Sequence, residues 1–183
     1  MLMAPAKLES MRKWIFLVVV LTVIDQITKR FAEAALEFAM PITAMPMFNW
    51  MLVYNEGAAF SFLSEAGGWQ RWFFVALASA VCIYIFNWLR KLETSEILLG
   101  TSLSFILSGA LGNLIDRALY GKVTDFIDFY YKADECIYFF YHSRHGSCHW
   151  PTFNIADILI TLGASLLIIH IFKEPSSNDA HKN

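Results

Sequence analysis

The sequence has few charged residues for its length. Only 16% of its 183 residues are Asp, Glu, Lys or Arg, whereas 57% are hydrophobic. A water-soluble domain carries about 25% charged and about 45–50% apolar residues, so this composition excludes a soluble enzyme and a disordered chain. The sequence also lacks an excess of positive charge, since its formal net charge is −2. A nucleic-acid-binding protein needs a basic face, and that class is excluded too.

Between its few charged residues the sequence contains long apolar stretches. A transmembrane helix needs about 20 mostly apolar residues to cross a hydrocarbon core of about 30 Å. Tryptophan favours the membrane–water interface, and five of the six tryptophans lie at the ends of these stretches: Trp14, Trp69, Trp72, Trp88 and Trp150. We therefore predict a mainly α-helical integral membrane protein with four transmembrane helices, at about residues 12–35, 69–89, 97–116 and 153–172.

The first stretch could instead belong to a cleaved signal peptide. However, Asp25, Lys29 and Arg30 follow its apolar core, where a signal peptide is normally uncharged. We interpret it as a span, which makes residues 1–173 a single membrane domain. Residues 174–183 form a polar tail that we expect to be disordered.

Two long connections, residues 36–68 and 117–152, then lie on the side of the membrane opposite the termini. The first contains Pro41, Pro46 and the turn-prone Asn55-Glu56-Gly57. The second contains a run rich in β-branched and aromatic residues at 123–129. We expect a small β-like subdomain and a lid-like loop on this side. Lysine and arginine divide equally between the two sides, so charge alone leaves the orientation open.

The polar residues of the predicted helices collect at one membrane face. Asp25 lies about 16 Å along the first helix from Trp14, past the midplane toward the long connections. Two pairs share a helix face by their spacing: Asn113 with Arg117 and Asn154 with Asp157. The run at 123–129 can fold back over the same place. Two carboxylates, Asp125 and Asp157, can therefore meet there, surrounded by Asp25, Asn55, Asn113 and Asn154.

Not every carboxylate at this face indicates function, because an interfacial acid can simply reach water. Asp128 is an adjacent rival to Asp125. Asp157 interrupts an otherwise uncharged stretch, which favours a functional role. The remaining acids are interpreted as solvated: Glu33, Glu37, Asp116, Asp134 and Glu135.

Other chemistries find little support. The sequence lacks the His-Glu-x-x-His motif of metalloproteases, although a zinc site made from Cys148 with His142, His145 and His149 is conceivable. Ser165 follows Gly163-Ala164, as in a rhomboid-type protease, but has no suitably placed histidine. We predict neither a metal nor a cofactor.

The cysteines divide by position. Cys82 lies within a predicted helix and is interpreted as a packing residue. Cys136 and Cys148 lie in the second long connection, where a disulfide and two free thiols both stay open.

Five segments of the chain resemble motifs of the lipoprotein signal peptidases (signal peptidase II), which are integral-membrane aspartyl proteases of bacteria. They occur in the family's order and cover residues 12 to about 172. The segments are Asp25-Gln26-Ile27-Thr28-Lys29, Asn55-Glu56-Gly57-Ala58-Ala59-Phe60, Gly109-Ala110-Leu111-Gly112-Asn113-Leu114-Ile115-Asp116-Arg117, Val123-Thr124-Asp125-Phe126 and Phe153-Asn154-Ile155-Ala156-Asp157. Residues 130–151 depart from the pattern, being longer and more aromatic than usual.

The resemblance implies that Asp125 and Asp157 are the catalytic pair. It also implies that supporting or substrate-binding roles fall to Asp25, Asn55, Asn113, Arg117 and Asn154. The substrate would be a diacylglyceryl-modified prolipoprotein, cut just before its lipidated cysteine. Globomycin-type cyclic peptides would inhibit this cleavage. The protein would lie in the bacterial cytoplasmic (inner) membrane with both termini cytoplasmic and the site near the outer face. A monomer is expected, because one chain supplies every site residue.

Two alternatives that are not enzymes remain. An ion- or proton-coupled transporter could use Asp25 and Asp157 as a relay, but it would need polar residues on both sides of the membrane midplane. A structural assembly subunit would keep its function when either aspartate became asparagine.

Overall fold

The computed structural model describes residues 5–57, 69–142 and 146–173. Its helices are α1 (Pro5–Ala35), α2 (Trp69–Leu89), α3 (Ile97–Tyr120) and α4 (Ile155–Lys173). Its strands are β1 (Ile42–Met45), β2 (Phe48–Asn55), β3 (Val123–Lys132), β4 (Tyr141–His142) and β5 (Ser147–His149). The predicted disordered tail at 174–183 and the Ala58-Ala59-Phe60 part of one motif lie outside the described residues.

The central helix is α3, which packs against α1, α2 and α4. Small residues let α4 come close. The Cβ of any larger residue at Gly109 would collide with the Ala156 carbonyl, and one at Gly163 would meet the Ser102 carbonyl. The Ser102 hydroxyl donates a 2.9 Å hydrogen bond to the Gly163 carbonyl across the same contact. Packing of this kind, with small residues and interhelical hydrogen bonds, is typical of helices in lipid.

Three described helices, α2, α3 and α4, are long and apolar enough to cross a membrane by length and composition. Helix α1 is 31 residues long but does not meet the same criterion. Its apolar run at residues 14–24 lies between Arg12 and Lys13 on one side and Asp25, Lys29 and Arg30 on the other. The prediction of four spans is therefore not confirmed by this criterion.

The two long connections form one antiparallel sheet with strand order β1-β2-β3-β5-β4. This confirms the expectation of a small β-structured part outside the helices. Residues 130–151, predicted as a lid-like loop, instead contain the end of β3 together with β4 and β5. Cys136 and Cys148 are joined by a disulfide within this region, which settles the alternative that the sequence left open.

Two helices have ends that differ by a few residues from the approximate spans given by the sequence. Helix α3 continues beyond residue 116 to Tyr120, and α4 begins at Ile155 rather than at residue 153. The end of α3 is set by Gly121, whose φ of 78° places it in the left-handed region that glycine adopts without strain. Its N–H donates to the Arg117 carbonyl, and the chain then turns directly into β3.

Candidate active site

Asp125 lies in β3, opposite Val53 of β2, and only 3% of it is exposed. Its Oδ1 accepts a 2.7 Å hydrogen bond from the Asn154 amide. The Asn55 side chain also forms a hydrogen bond with it. Strand β3 thus delivers one carboxylate, and two asparagines from different parts of the chain hold it in place.

Asp157 lies in the first turn of α4, where it forms a reciprocal cap with Asn154. The Asp157 N–H donates to Asn154 Oδ1 at 3.0 Å, and the Asn154 N–H donates to Asp157 Oδ2 at 3.2 Å. A side chain at the helix N-cap and one three residues later satisfy two backbone N–H groups in this way. The cap orients the Asp157 carboxylate at the positive end of the helix dipole.

Asn113 and Asn154 connect the two carboxylates. The Asn113 amide donates to Asp157 Oδ1 at 2.9 Å, and its Oδ1 accepts from the Asn154 amide at 3.2 Å. Asn154 in turn binds Asp125. The start of α4 is held against β3 as well, because the Phe153 carbonyl accepts from the N–H groups of Phe126 and Ile127. The two aspartates therefore belong to one hydrogen-bonded unit built from α3, β3 and α4.

The electrostatics of this unit favour a proton on Asp125. Burial raises the pKa of Asp125 to about 8, and the neighbouring charge of Asp157 adds to the rise. Hydrogen bonds from Asn154 and Asn55 and the charge of Lys29 act in the opposite direction. At neutral pH the pair therefore holds a proton, which is the state in which one carboxyl can donate and the other accept.

Behind the pair lies a fully buried cation, Lys29, for which the sequence alone predicts no role in the site. Its three N–H groups have three acceptors at 2.9 Å: Asp25 Oδ2, Asp116 Oδ2 and Asn113 Oδ1. A hint was available in the sequence, because Lys29 follows Asp25 by four residues and so shares its helix face.

The interpretation of Asp116 as a solvated interface residue is wrong. Asp116 is fully buried and binds both Lys29 and Arg30. It also accepts from the Thr124 N–H at 3.3 Å, and so joins α3 to β3 next to Asp125. Its spacing of three residues from Asn113 could have placed it on the same face.

Asp25 lies in this buried layer rather than beside the cavity. Its Oδ1 accepts a 2.8 Å hydrogen bond from the Ala156 N–H, one of the free N–H groups in the first turn of α4. It approaches α3 at Gly112, where any Cβ would collide with its carboxylate. Asp25 thus positions the start of α4, and Gly112 leaves the room for it.

A cavity of about 630 Å³ opens beside Asp125. Val53, Tyr54, Asn55, Glu56 and Gly57 line it from the end of β2, and Phe139, Phe140, Tyr141, Pro151 and Thr152 line it from the second connection. Arg117 lies next to it, and its guanidinium donates to the Gly57 carbonyl at 3.1 Å. Arg117 also interacts electrostatically with both Asp157 and Asp125.

Asp128 lies outside this arrangement. It stands opposite Asn49 in the sheet and accepts from the Asn49 amide at 2.8 Å. Its two oxygens also contact His149 Nδ1 at 2.8 and 3.0 Å. The structure therefore gives Asp128 partners different from those of Asp125, and it brings Asp125, not Asp128, together with Asp157.

The alternative sites of the sequence analysis are also accounted for. Cys148 is bonded to Cys136, so its thiol is not free to bind zinc, and His145 lies outside the described residues. The Ser165 hydroxyl donates to the Thr161 carbonyl of its own helix at 2.8 Å. Neither forms the centre of a catalytic arrangement in the part of the chain that the structure describes.

Comparison with known proteins finds relatives over most of the chain. The model of the family described as signal peptidase (SPase) II matches residues 17–173. A lipoprotein signal peptidase of Hydrogenovibrio crunogenus is 48% identical over 157 residues, covering 86% of this chain and 83% of the relative. One of Aeromonas hydrophila subsp. hydrophila is 40% identical over 172 residues, covering 93% and 95%. A solved structure described as a bacterial membrane enzyme matches with a TM-score of 0.72 and 29% identity over 93% of both chains.

Proposed function

The chain belongs to the signal peptidase II family, and we propose that it removes the signal peptide from diacylglyceryl-modified prolipoproteins by cutting before the lipidated cysteine. The observation that carries this proposal is the hydrogen-bonded unit that holds Asp125 and Asp157 together beside a cavity. Two carboxyls that share a proton can hydrolyse a peptide bond without a covalent intermediate.

In the proposed reaction, the ionised carboxyl removes a proton from a water molecule as that water attacks the scissile carbonyl. The protonated carboxyl donates its proton to the carbonyl oxygen. As the tetrahedral intermediate collapses and the C–N bond breaks, the leaving nitrogen takes a proton from the carboxyl that deprotonated the water. One hydroxyl of the intermediate returns its proton to the other carboxyl, which restores the singly protonated pair. The raised pKa of Asp125 favours Asp125 as the carboxyl that is protonated at rest.

The remaining residues have supporting roles in this proposal. Asn113 and Asn154 fix the geometry of the pair, Asn55 holds Asp125, and Asp25 positions the helix that carries Asp157. Arg117 already donates to one backbone carbonyl, that of Gly57. The same guanidinium could hold a carbonyl of the bound substrate, since it has five N–H donors.

We also propose that α1 is a fourth transmembrane helix. Its outward face carries a stripe of exposed apolar residues at helical spacing: Phe16, Val19, Val23, Ile27 and Phe31. Two charges in its second half do not face outward, because Asp25 and Lys29 are fully buried and paired with each other. Lys29 also binds Asp116 of α3, and Asp25 accepts a hydrogen bond from the Ala156 N–H of α4. A helix with paired, buried charges and an apolar outer face is compatible with lipid.

Four spans place both termini on one side. In our proposal this side is the cytoplasm, the membrane is the bacterial cytoplasmic (inner) membrane, and the carboxyl pair lies near its outer face. The Cys136–Cys148 disulfide supports this orientation, because disulfides persist on the oxidising side. The proposed enzyme acts as a monomer and is inhibited by globomycin-type cyclic peptides.

The test is cleavage by the purified full chain in lipid vesicles. Two prolipoprotein substrates of the same sequence are compared, one with and one without diacylglycerol on the cysteine. We expect cleavage of the lipidated substrate alone, at the bond before the cysteine, with mass spectrometry locating the new N-terminus. A folded protein that cuts neither substrate, or cuts elsewhere, would contradict the proposal.

A further inference from the structure

We propose that residues 136–142, which we call the aromatic segment, form a substrate-contacting wall that selects apolar side chains of the signal peptide upstream of the cut. This inference rests on the proposed function and goes further, because it assigns substrate selection to a part of the chain that none of the family motifs covers.

The aromatic segment reaches the same cavity as Asp125. Phe139, Phe140 and Tyr141 line that cavity together with Asp125 and the end of β2. Phe140 is half-buried, whereas Phe139 and Tyr141 keep large exposed surfaces. A bound chain would cover apolar ring surface that is now open to solvent.

The lining as a whole suits a peptide. The aromatic rings offer apolar contacts, while Asn55 and Glu56 offer polar groups in the same cavity. A peptide needs both, because its main chain must form hydrogen bonds while its apolar side chains leave water. A hydrocarbon chain would cover the exposed Glu56 carboxylate without offering it a hydrogen bond, which makes a purely apolar occupant unfavourable.

The aromatic segment is attached firmly at its beginning. Cys136 is bonded to Cys148 of β5, and the Ile137 N–H donates to the Tyr131 hydroxyl at 2.7 Å. The ring of Phe140 packs edge-on against Tyr131, with centroids 5.0 Å apart. These contacts fix the segment to β3 and β5 rather than leaving it as a free loop.

Its other end is attached to the sheet. Tyr141 lies opposite His149 in the β4–β5 pair, and their rings stack at 5.5 Å. His149 is held in turn by Asp128, which is fully buried. The Asp128–His149 pair therefore supports the Tyr141 ring of the aromatic segment and is separate from the proposed catalytic pair.

The backbone at Phe139 is a second, independent observation. A hydrogen bond of 3.1 Å from the Phe140 N–H to the Ile137 carbonyl closes a four-residue turn, in which Phe139 has a φ of 73°. Glycine or asparagine normally occupies such a position, because a side chain disfavours a positive φ. An aromatic residue placed there, with its ring at the cavity, indicates that the ring itself has a use.

The test compares the steady-state kinetics of ring-deletion variants with those of the wild type. The substrates are lipidated prolipoproteins in which single residues upstream of the cut are either Leu or Ala. For Phe140→Ala and Tyr141→Ala, we expect the KM for the preferred Leu substrate to rise about tenfold, the value of a lost apolar contact in a binding pocket. We expect kcat to stay within about twofold, because such a contact is made equally in the ground and transition states.

The selectivity for Leu over Ala should shrink together with the affinity. Tyr141→Phe, which keeps the ring, should retain the wild-type KM. The matched control is Tyr84→Ala on α2: this side chain is 67% exposed and is not part of the cavity lining, so its removal should change neither KM nor selectivity.

Two further variants separate the ring from the fold. Phe139→Gly removes the ring but suits the positive φ, so it should raise KM without lowering the thermal midpoint of unfolding. The double variant Cys136→Ser with Cys148→Ser should raise KM about threefold, because the aromatic segment loses its covalent attachment to β5 and its rings contact the substrate less well. An unchanged KM in the double variant would overturn the role given to the disulfide.

Unchanged KM and Leu/Ala selectivity in Phe139→Gly, Phe140→Ala and Tyr141→Ala, in an enzyme whose wild type cleaves, would overturn the wall while leaving the proposed function intact. A wild type that cleaves no lipidated substrate would overturn the proposed function instead, and the wall with it.

Discussion

The two ends of the helical bundle hold their helices together by different means. At one end, Trp14 and Val18 of α1 pack with Leu89 of α2 and with Leu99 and Leu103 of α3 in an apolar cluster. At the other end, the side chains buried between helices are ionic or strongly polar: Asp25, Lys29, Asn113, Asp116 and Asn154.

The difference separates stability from function. Lipid tails are as apolar as leucine, so the apolar end holds together by close packing alone. The polar end contributes directional hydrogen bonds, and it positions the two carboxylates that the proposed reaction needs. Changes at the apolar end should therefore affect stability alone, whereas changes at the polar end should affect stability and activity together.

The largest effect on stability is expected at Lys29. In Lys29→Met, the buried Asp25 and Asp116 lose the cation that they share. Removing one partner of a buried charge cluster costs about 3–5 kcal/mol. Chemical unfolding in detergent should show this loss, and cleavage should fall at least a hundredfold even in the folded fraction, since Asn113 loses its contact with Lys29. If Lys29→Met were as stable as the wild type, the stabilising role of this shared cation would be contradicted. Lys91→Met, at an exposed lysine, serves as the control.

A smaller effect is expected at the apolar end. Leu103→Ala leaves a cavity in a cluster where Leu103 is 1% exposed. Such changes cost about 2–5 kcal/mol of unfolding free energy in water-soluble cores. We expect a cost near the bottom of this range, about 2 kcal/mol, because lipid solvates a leucine side chain almost as well as the protein interior does. Unfolding should report this loss while kcat and KM per folded molecule stay at wild-type values. A changed kcat would break the separation between the two ends.

The pH dependence of cleavage should reflect the polar end alone. The pKa of Asp125 is raised to about 8, so its carboxyl loses its proton as the pH rises through that value. Because the proposed reaction needs one proton on the pair, kcat should fall about tenfold per pH unit above it. Leu103→Ala should show the same profile. A rate that keeps rising to about pH 10 would contradict the shared proton.

The smallest effect is expected at Arg30, which binds the same Asp116 carboxylate as Lys29. Its side chain is 34% exposed, and a partly exposed ion pair contributes about 0–1 kcal/mol. Arg30→Gln should therefore change the free energy of unfolding by less than about 1 kcal/mol. A loss as large as that of Lys29→Met would show that burial does not decide the strength of these pairs.

Spacing along the chain was enough to predict much of the candidate site. Residues three or four apart on a helix share a face, so Asn154 could be placed with Asp157, and Asn113 with Arg117. The run at 123–129 had the composition of a strand, and it forms most of β3. Alternation within β3 could not decide between Asp125 and Asp128, because both are buried; only their different partners separate them.

Other parts depended on contacts between distant segments. The position of Asp116 at a helix end predicts a solvated side chain, and only the packing of α1 against α3 buries it beside Lys29. The hairpin of β4 and β5 could not be predicted either, since its strands are two and three residues long. Its position is set by the disulfide and by pairing with β3, neither of which has a local signal.

The measurement that tests the central claim most directly is the cleavage rate of three matched variants, Asp125→Asn, Asp157→Asn and Asp128→Asn, on one lipidated prolipoprotein. Each variant is first shown to be folded by its thermal midpoint of unfolding. We predict a loss of at least about a thousandfold in kcat for Asp125→Asn and for Asp157→Asn, because each removes one member of the acid–base pair. Asp128→Asn should keep most of its activity. Activity that survives in folded Asp125→Asn or Asp157→Asn would contradict the assignment of this pair.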